Sequence, residues 1–315
     1  MLKDKYGRNI TYLRVSITDR CNLRCIYCGG ELHKLDHTEI LTYEEILKVI
    51  SIFVGLGIRK VRITGGEPFL RKGIDFFIEK VSEIKGIEEV AITTNAILLE
   101  EHLDTLKRSR IRKINISLDS LSPEKYKKIT GYDGFHKVWE AICKAEKMGF
   151  LVKINTVVLK GINEDEAIDF AKLSLEKPFH VRFIEYMDVG RGDFFVSNQK
   201  IKETISKIGE LIPTSDESSI YPGPAVYFKF KGAKGKIGFI SPVSSHFCKR
   251  CNRIRLTADG HIRPCLLHHY EVDIKNPIRK GASEEKLKKI ILSAVYNKPI
   301  PEKNFIEKPM CLIGG

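Results

Sequence analysis

A strand-like segment leads directly into three cysteines in the stretch from residue 12 to residue 28, YLRVSITDRCNLRCIYC. Three residues separate Cys21 from Cys25, and two separate Cys25 from Cys28. This spacing can wrap three thiolates around one cubane iron–sulfur cluster, which leaves one of its irons without a protein ligand. Because an ordinary electron-transfer cluster is closed by four cysteines, the loop predicts chemistry at the open iron.

A second set of three cysteines, Cys248, Cys251 and Cys265, lies within the stretch FCKRCNRIRLTADGHIRPCL near the C-terminus. Two residues separate the first pair and thirteen separate the second. Two arginines, Arg253 and Arg255, follow Cys251. A structural metal ion does not require two cations beside it, so this pair favours a functional site over a structural one.

Zinc is the alternative for either set, since cysteine and histidine are its usual ligands. A nearby histidine would then complete each site: His33 or His37 in the first, and His261, His268 or His269 in the second. With a net charge of +13, the chain would then be a zinc-stabilised nucleic-acid-binding module. That alternative accounts for the second set and gives no reason for the first.

Taken together, the two cysteine sets resemble those of the GTP 3′,8-cyclases, a family of radical S-adenosylmethionine (SAM) lyases that opens molybdenum cofactor biosynthesis. The resemblance runs from Tyr12 to the terminal Gly314-Gly315. It implies a [4Fe–4S] cluster on each cysteine set, with SAM bound at the open iron of the first. It also implies that a 5′-deoxyadenosyl radical takes the C3′ hydrogen of GTP, which yields (8S)-3′,8-cyclo-7,8-dihydroguanosine 5′-triphosphate.

The resemblance assigns individual residues as well. Positions that bind SAM match Tyr27, Gly66, Ser117 and Met187. Positions that bind GTP match a mostly basic set, Arg14, Lys60, Arg62, Thr93, Lys153, Arg182, Arg253, Ile254 and Arg255. Positions that assist catalysis match Arg14, Gly314 and Gly315. Arginine suits such a role because its guanidinium group bonds phosphate bidentately.

Each basic residue also has an ordinary structural interpretation. On strands, Arg14, Arg62 and Arg182 could pair with barrel carboxylates, for which Asp19, Glu67 and Glu185 are candidates. Their convergence at the ends of predicted strands favours the functional role, because the loops after parallel strands gather at one end of a barrel.

Small polar motifs follow the predicted strands in series. Gly65-Gly66-Glu67-Pro68 comes one βα unit after the first cysteine set, and its glycines allow backbone to approach a ligand without Cβ obstruction. Its peptide groups could therefore bond the SAM amino group. Asp119 and Ser120 follow the fourth predicted strand, where capping of a helix N-terminus is the more common role.

Strand and helix patterns alternate over the first two thirds of the chain. The predicted strands are Leu13–Thr18, Lys60–Thr64, Glu89–Thr93, Lys113–Leu118, Lys153–Val158 and Val181–Tyr186. The predicted helices are Tyr43–Leu56, Ile74–Ile84, Leu99–Ser109, Phe135–Met148 and Glu164–Leu175. This order predicts an α/β fold, an incomplete (β/α)6 TIM-type barrel over residues 1–190. Residues 191–315, with short strands at Val226–Lys231 and Lys236–Ser241, form a C-terminal cluster-binding and substrate-binding region that the resemblance places over the barrel opening.

Composition narrows the remaining alternatives. The 315 residues include 53 basic and 40 acidic side chains, and much of the excess is lysine on amphipathic helices, which indicates a solvated face and no nucleic-acid partner. No apolar run approaches the ~18 residues that cross a bilayer, and the N-terminus lacks a signal-peptide pattern. We therefore expect a cytoplasmic protein with no membrane partner. Among the remaining cysteines, Cys143 fits the core face of a helix, and Cys311 has no interpretation.

The partners that the resemblance implies are GTP, an electron donor that the sequence does not identify, a downstream pterin synthase that receives the product, and a second copy of the chain in a homodimer. A radical SAM enzyme that modifies a peptide and carries an auxiliary cluster is the alternative within enzymes. The arginine pair after Cys251 and the terminal Gly314-Gly315 argue against it.

Overall fold

The computed structural model describes residues 2–28, 35–109, 111–187, 193–221, 223–245 and 247–300. Four residues that the sequence analysis singled out, His33, Cys311, Gly314 and Gly315, lie outside these ranges. None of the helices in the described ranges is both long enough and apolar enough to span a membrane.

One sheet of twelve strands organises the described part of the chain. The strands are β1 (Tyr12–Ser16), β2 (Lys60–Thr64), β3 (Glu89–Thr94), β4 (Lys113–Ser117), β5 (Leu151–Val158), β6 (His180–Glu185), β7 (Leu211–Thr214), β8 (Val226–Phe230), β9 (Lys236–Ile240), β10 (Arg253–Leu256), β11 (His261–Arg263) and β12 (Val272–Asp273). Their order across the sheet is β12-β11-β10-β1-β2-β3-β4-β5-β6-β9-β8-β7. The eight neighbours from β10 through β1 to β6 and on to β9 all run parallel.

Helices α1 to α7 lie between strands in the chain, and two more follow the last strand. They are α1 (Tyr43–Leu56), α2 (Ile74–Glu83), α3 (Leu99–Arg108), α4 (Pro123–Thr130), α5 (Phe135–Lys147), α6 (Ala167–Glu176), α7 (Asn198–Ile205), α8 (Lys275–Arg279) and α9 (Glu284–Tyr296). Capping residues in the sequence define where these helices begin and end. Thr42 and Glu45 form a capping box at the start of α1, and Gly57 ends that helix with a φ of 122°. Ser122 caps α4, Pro123 occupies its first turn, and Gly131 ends it in the left-handed region.

Apolar and polar residues alternate along the parallel strands. The outward residues, for example Leu13 and Val15 of β1, join one continuous core beneath the helices. The inward residues, for example Tyr12 and Arg14, are buried or half-buried and face the interior of the partial barrel. A TIM barrel is ordinarily filled by bulky branched apolar side chains. The polar interior of this one is suited to a polar ligand.

The α/β partial-barrel fold predicted from the sequence is confirmed, with one correction to the strand count. The C-terminal region adds β9 beside β6 and β10 beside β1, so eight strands run parallel instead of six. Because β9 and β10 point the same way, the segment from residue 241 to residue 252 returns from the C-terminal end of the barrel to its N-terminal end. Helix α4 was not predicted, and Cys143, expected in the core, is only half-buried. The domain division near residue 190 stays a prediction.

Candidate active site

The two cysteine sets lie at opposite ends of one cavity inside the partial barrel. All six predicted metal ligands line it: Cys21, Cys25, Cys28, Cys248, Cys251 and Cys265. The first set follows the C-terminal end of β1, whereas Cys251 precedes the N-terminal end of β10. In the parallel pairing of these strands Tyr12 lies opposite Arg253, so the strand length of about 13 Å separates the two ends. The site therefore spans the barrel instead of occupying its C-terminal rim.

Arginines form a row across three neighbouring strands between the cysteine sets. Arg14 of β1 lies in register with Arg62 of β2 on one side and with Arg255 of β10 on the other. All three line the cavity, together with Arg182 and Arg253. Burial is the largest influence on Arg255, and with repulsion from Arg253 it lowers the pKa of that guanidinium to about 10. A row of three guanidinium groups, the most basic side chains in proteins, is predisposed to bind an anion.

Tyr12 lies directly below this row. Lys60 and Arg62 lie over its ring, at 4.9 and 5.5 Å from the centroid. Burial alone would raise the pKa of the Tyr12 phenol, but the fields of Arg62, Arg14 and Lys60 together lower it. The direction of this shift is an independent sign of how strongly positive the cavity is.

Several buried polar atoms of the cavity wall lack a hydrogen-bond partner within the described ranges. They are the Nε atoms of Arg62, Arg182 and Arg255, the hydroxyl oxygen of Thr93 and the side-chain oxygen of Asn155. Leaving a buried polar group unsatisfied costs about 1–3 kcal/mol, and more for a charged group. Their concentration in one cavity indicates that a ligand rich in acceptors, with at least one donor, completes them.

The two predicted GTP-binding lysines, Lys60 and Lys153, lie nearer the N-terminal ends of the strands than the arginine row does. Residues 215–221 form a floor there. Lys153 forms an ion pair with Asp216 at 2.7 Å, and both side chains are buried. Lys60 pairs with Glu89 at 2.9 Å and donates a hydrogen bond to Ser219. Neither lysine is among the described residues that line the cavity. The structure therefore separates them from the arginine row.

Ile254 is also set apart from the other predicted GTP-binding residues. Its side chain is fully buried in the apolar core, since it points to the opposite face of β10 from Arg253 and Arg255. Any polar contact of this residue must therefore use its main chain.

The Gly-Gly-Glu-Pro motif braces the first cysteine loop. The backbone of Gly66 donates to the Thr18 carbonyl at 2.7 Å, and that of Glu67 donates to the Arg20 carbonyl at 2.8 Å. A Cβ on Gly66 would lie 2.3 Å from the Arg20 carbonyl oxygen, so only glycine fits. The sequence analysis expected the backbone of this motif to approach a ligand closely. In the structure the Gly66 backbone closely approaches the first cysteine loop.

Glu67 extends this brace to the next strand. Its buried carboxylate accepts hydrogen bonds from the Thr94 hydroxyl and the Asn95 backbone, while the Asn95 side chain donates to Asn22. Burial raises the pKa of Glu67 to about 7, against these hydrogen bonds. The carboxylate predicted as a possible arginine partner instead connects β3 to the cysteine loop.

The four predicted SAM-binding residues, Tyr27, Gly66, Ser117 and Met187, all line the cavity. The Tyr27 hydroxyl donates to Asp119 at 2.6 Å, and the Val157 backbone donates to the same carboxylate at 2.8 Å. Burial raises the pKa of Asp119 to about 6. Ser122 caps α4, the role expected for Asp119 or Ser120. Asp119 instead holds the hydroxyl of Tyr27, which lies between Cys25 and Cys28 in the sequence.

The thiols of the two sets have different electrostatic surroundings. Burial, reinforced by Asp119, raises the pKa of Cys25 well above its ordinary value. Burial acts in the same direction on Cys251, but Arg253 and then Lys298 outweigh it and lower the pKa of that thiol to about 6. A thiolate is therefore more readily formed at Cys251 than at Cys25, whereas burial raises the pKa of Cys248 in the second set.

Each cysteine set presents three thiols to the cavity, which is the donor type that an iron–sulfur cluster uses. No disulfide joins the cysteines that the structure describes. Within the described ranges, no group of three or more His, Cys, Asp or Glu side chains is arranged to hold one metal ion. A mononuclear zinc site needs each sulfur about 2.3 Å from one point, whereas a cubane distributes its sulfur ligands over several irons. The stacked pair His268 and His269 forms no such zinc site with Cys265.

Sequence reasoning missed several polar residues of the interior. Tyr12 lines the cavity, and Asn115 accepts a hydrogen bond from Arg182. Lys298, far along the chain, also lines it. The strict alternation of polar and apolar residues in parallel strands was the available signal for the first two, since such strands are usually apolar on both faces. Lys298 follows a helix and carries no such signal. Asn155, which the sequence analysis expected at the site on the fifth strand, lines the cavity.

Two family models match this chain. One is the radical SAM superfamily, over residues 15–174, and the other is Molybdenum Cofactor Synthesis C, over residues 179–303. The GTP 3′,8-cyclase of Thermodesulfovibrio yellowstonii is 49% identical over 325 residues, and the match covers 100% of both chains. The GTP 3′,8-cyclase of Alkaliphilus oremlandii is 45% identical, and the match covers 95% of this chain and 93% of that protein.

Solved structures share the fold at lower identity. Streptococcus suis SuiB bound to S-adenosylmethionine is similar with a TM-score of 0.69 and 16% identity, over 93% of this chain and 67% of SuiB. Native anSMEcpe with bound AdoMet has a TM-score of 0.51 and 21% identity, over 63% of this chain and 60% of that one. These likenesses establish the architecture of the partial barrel.

Proposed function

The chain belongs to the radical SAM superfamily and, within it, to the GTP 3′,8-cyclase family, and we propose that it converts GTP to (8S)-3′,8-cyclo-7,8-dihydroguanosine 5′-triphosphate, the first step of molybdenum cofactor biosynthesis. One observation carries this proposal: three arginines whose Nε atoms lack a hydrogen-bond partner within the described ranges line the same cavity as both cysteine sets. A nucleoside triphosphate supplies the acceptor oxygens that this cavity lacks and the base that a second metal centre can hold.

Cys21, Cys25 and Cys28 would hold the [4Fe–4S] cluster that the radical SAM family implies. When bound there with SAM, this cluster supplies the 5′-deoxyadenosyl radical that abstracts the ribose C3′ hydrogen. The protein's part is orientation and exclusion of competing reactions. Tyr27, held by Asp119, and Gly66 position SAM near the cysteine loop, and Ser117 and Met187 contact it from the ends of later strands.

Six residues of the cavity bind the substrate: Arg14, Arg62, Thr93, Arg182, Arg253 and Arg255. Guanidinium groups hold phosphate oxygens bidentately and fix the ribose at a constant distance from SAM. Arg14, at the centre of the arginine row, also assists catalysis by holding the substrate radical in place for ring closure. Lys60 and Lys153 bind the substrate from the floor formed by residues 215–221. In the structure their side chains form ion pairs with Glu89 and Asp216.

We assign a second [4Fe–4S] cluster to Cys248, Cys251 and Cys265. Three thiolates leave one of its irons available for the guanine base, and the opposite end of the barrel is the position from which a base could be held with its ribose toward SAM. The lowered pKa of Cys251 supports ligation by a thiolate. This centre serves substrate positioning and is not needed for SAM cleavage.

Further features of the proposal follow the family. The enzyme works in the cytoplasm, takes electrons from a separate donor, passes its product to a pterin synthase and forms a homodimer. Residues 1–190 make up the radical SAM barrel, and residues 191–315 make up the auxiliary region. The terminal Gly314 and Gly315 assist hydrogen transfer, and Ile254 contributes through its main chain.

Anaerobic incubation with GTP, SAM and a reductant tests the reaction directly. We expect both 5′-deoxyadenosine and the cyclised triphosphate by mass spectrometry, with neither formed when SAM is left out. Deuterium placed at C3′ of GTP should appear in the 5′-deoxyadenosine. Formation of 5′-deoxyadenosine without deuterium transfer, and without the cyclised product, would show that GTP is not the substrate.

A further inference from the structure

A buried lysine lies beside the second cysteine set. Lys298 follows α9, is only 1% exposed and lines the cavity. Its ammonium donates to the backbone carbonyl of Arg253 at 2.7 Å and to that of Pro264. Arg253 follows Cys251 by two residues, and Pro264 immediately precedes Cys265. One side chain thus connects the two chain segments that carry these cysteines.

The charge of Lys298 lacks an obvious counter-ion. Across the part of the chain that the structure describes, its hydrogen-bond partners are carbonyls, and no carboxylate lies within ion-pair distance. An isolated buried charge costs several kcal/mol unless it is compensated. The two carbonyls that Lys298 contacts belong to residues within two positions of Cys251 and Cys265, whose thiols can become anionic.

The N-terminal segment fixes the backbone on which Lys298 sits. Arg8 donates to the Lys298 carbonyl at 3.0 Å and to the Cys248 carbonyl at 2.9 Å. Asp4 neutralises Arg8 in a buried ion pair of 2.5 Å. Since Arg8 has its own carboxylate and Lys298 has none in the described ranges, Lys298 carries an uncompensated charge in this layer, next to the guanidinium of Arg253, which also acts on Cys251.

We propose that Lys298 is a positioning residue for the second cluster, whose negative charge it balances while it joins the Cys251 and Cys265 segments. This inference rests on the second cluster of the proposed function. Net charge and hydrogen bonding near a cluster set its reduction potential. Removal of the ammonium should therefore shift the potential of the second cluster to more negative values and leave that of the first unchanged.

Full-length protein reconstituted under anaerobic conditions provides the test. Iron content is measured first. The reduction potential of each cluster is then determined by a potentiometric titration followed by electron paramagnetic resonance. Lys298→Gln removes the charge but keeps a donor, and Lys298→Arg keeps the charge. Lys288→Gln is the matched control, because Lys288 lies on α9 itself with its side chain 33% exposed. Cys248→Ala identifies the second cluster's signal by its loss.

We expect about eight irons in the wild type, a more negative second potential in Lys298→Gln, and unchanged potentials in Lys298→Arg and Lys288→Gln. Loss of the second signal in Lys298→Gln with retention in Lys298→Arg would support the same role. An unchanged second potential in Lys298→Gln, or equal shifts of both signals, would overturn it. Only four irons in the wild type would instead reject the second cluster itself.

Discussion

Arg14 and Arg62 occupy directly paired positions on two neighbouring parallel strands, with both side chains inside the barrel. Like charges placed directly opposite each other on a sheet destabilise it. Arg255 extends the repulsion on the other side of Arg14. The arrangement is therefore unfavourable without a ligand and becomes favourable when an anion lies among the three groups, which leads to the first prediction.

Arg62→Met should change stability and binding in opposite directions. The thermal midpoint of the substrate-free protein should rise, by the equivalent of roughly 0.2–1 kcal/mol. The affinity for GTP should fall by about 1.5–3 kcal/mol, the usual contribution of a hydrogen bond to a charged group. Differential scanning calorimetry gives the thermal midpoint, and isothermal titration calorimetry gives the affinity for GTP. Arg108→Met, at an exposed position of α3, should change neither, and unchanged GTP affinity in Arg62→Met would remove this residue from the binding site.

Gly66→Ala should displace the first cysteine loop. The added Cβ would lie 2.3 Å from the Arg20 carbonyl oxygen, an overlap that typically costs about 1–3 kcal/mol. We expect a lower melting temperature and a loss of the iron held by the first set. Gly55→Ala is the control, because its Cβ would contact nothing within 4 Å and α1 should gain helix propensity. Equal iron content in both variants would contradict the bracing role of the motif.

The two cysteine sets should be separable by their products. Alanine at Cys21, Cys25 and Cys28 should abolish 5′-deoxyadenosine altogether, because the electron donor to SAM is lost. Alanine at the second set should leave measurable SAM cleavage but reduce the cyclised product to background. Chromatography of both products from the same reaction checks this. Normal cyclisation by the second variant would reject the substrate-positioning role of that set.

Asp216→Asn should destabilise the floor in a pH-dependent way. Burial opposes ionisation of Asp216, but Lys153 prevails and lowers the pKa of this carboxyl, so the native state binds fewer protons than the unfolded state in acid. The stabilisation is present above the ordinary aspartate pKa of about 3.9 and is lost as the pH falls below it. We expect a deficit of about 3–5 kcal/mol at neutral pH, which stays constant down to about pH 4 and narrows as the pH falls further.

Urea unfolding of the cluster-free chain over this pH range measures the deficit. Asp169→Asn is the control, because its partner Lys172 and Asp169 itself are both more than half exposed, and exposed pairs contribute little. A deficit that is constant with pH would show that Asp216 acts by packing and not by charge.

Removal of Gly314 and Gly315 should suppress cyclised product while GTP binding and iron content stay near wild-type values. Two glycines at a chain end can enter a space that any side chain would obstruct. Product formation in the truncated enzyme, compared with the Gly55→Ala variant, whose added Cβ would contact nothing within 4 Å, gives the readout. Full activity without the two glycines would assign the tail no catalytic part.

The sequence was most informative where chemistry depends on local spacing. The spacing of the two cysteine sets and the Arg253–Arg255 pair predicted residues that the structure brings to one cavity. It was least informative where long-range pairing decides the outcome. Strand β10 is only four residues long and overlaps the cysteine motif, so it was not recognised as a barrel strand. Consequently the second set was expected in a region that covers the barrel opening, and not beside a strand of the barrel itself.

The position of Lys153 shows the same limit. A lysine on an inward strand position is equally consistent with a substrate contact and with an ion pair. The choice depends on Asp216, which a loop after β7 brings to the floor from far along the chain. Periodicity within β5 contains no information about that loop, whereas it does fix which face of the strand Lys153 occupies.

The pairing of β1 with β10 joins strands that are far apart in the order of translation. Strand β1 leaves the ribosome early, and β2 to β6 can align beside it one after another, but β10 emerges only after all of them. Arg255 and the second cysteine set can therefore reach the cavity only after β1 to β6 have been synthesised. A growing chain carries the first cysteine loop well before it can place Arg255 beside Arg14, so the row proposed for substrate binding is completed late in folding.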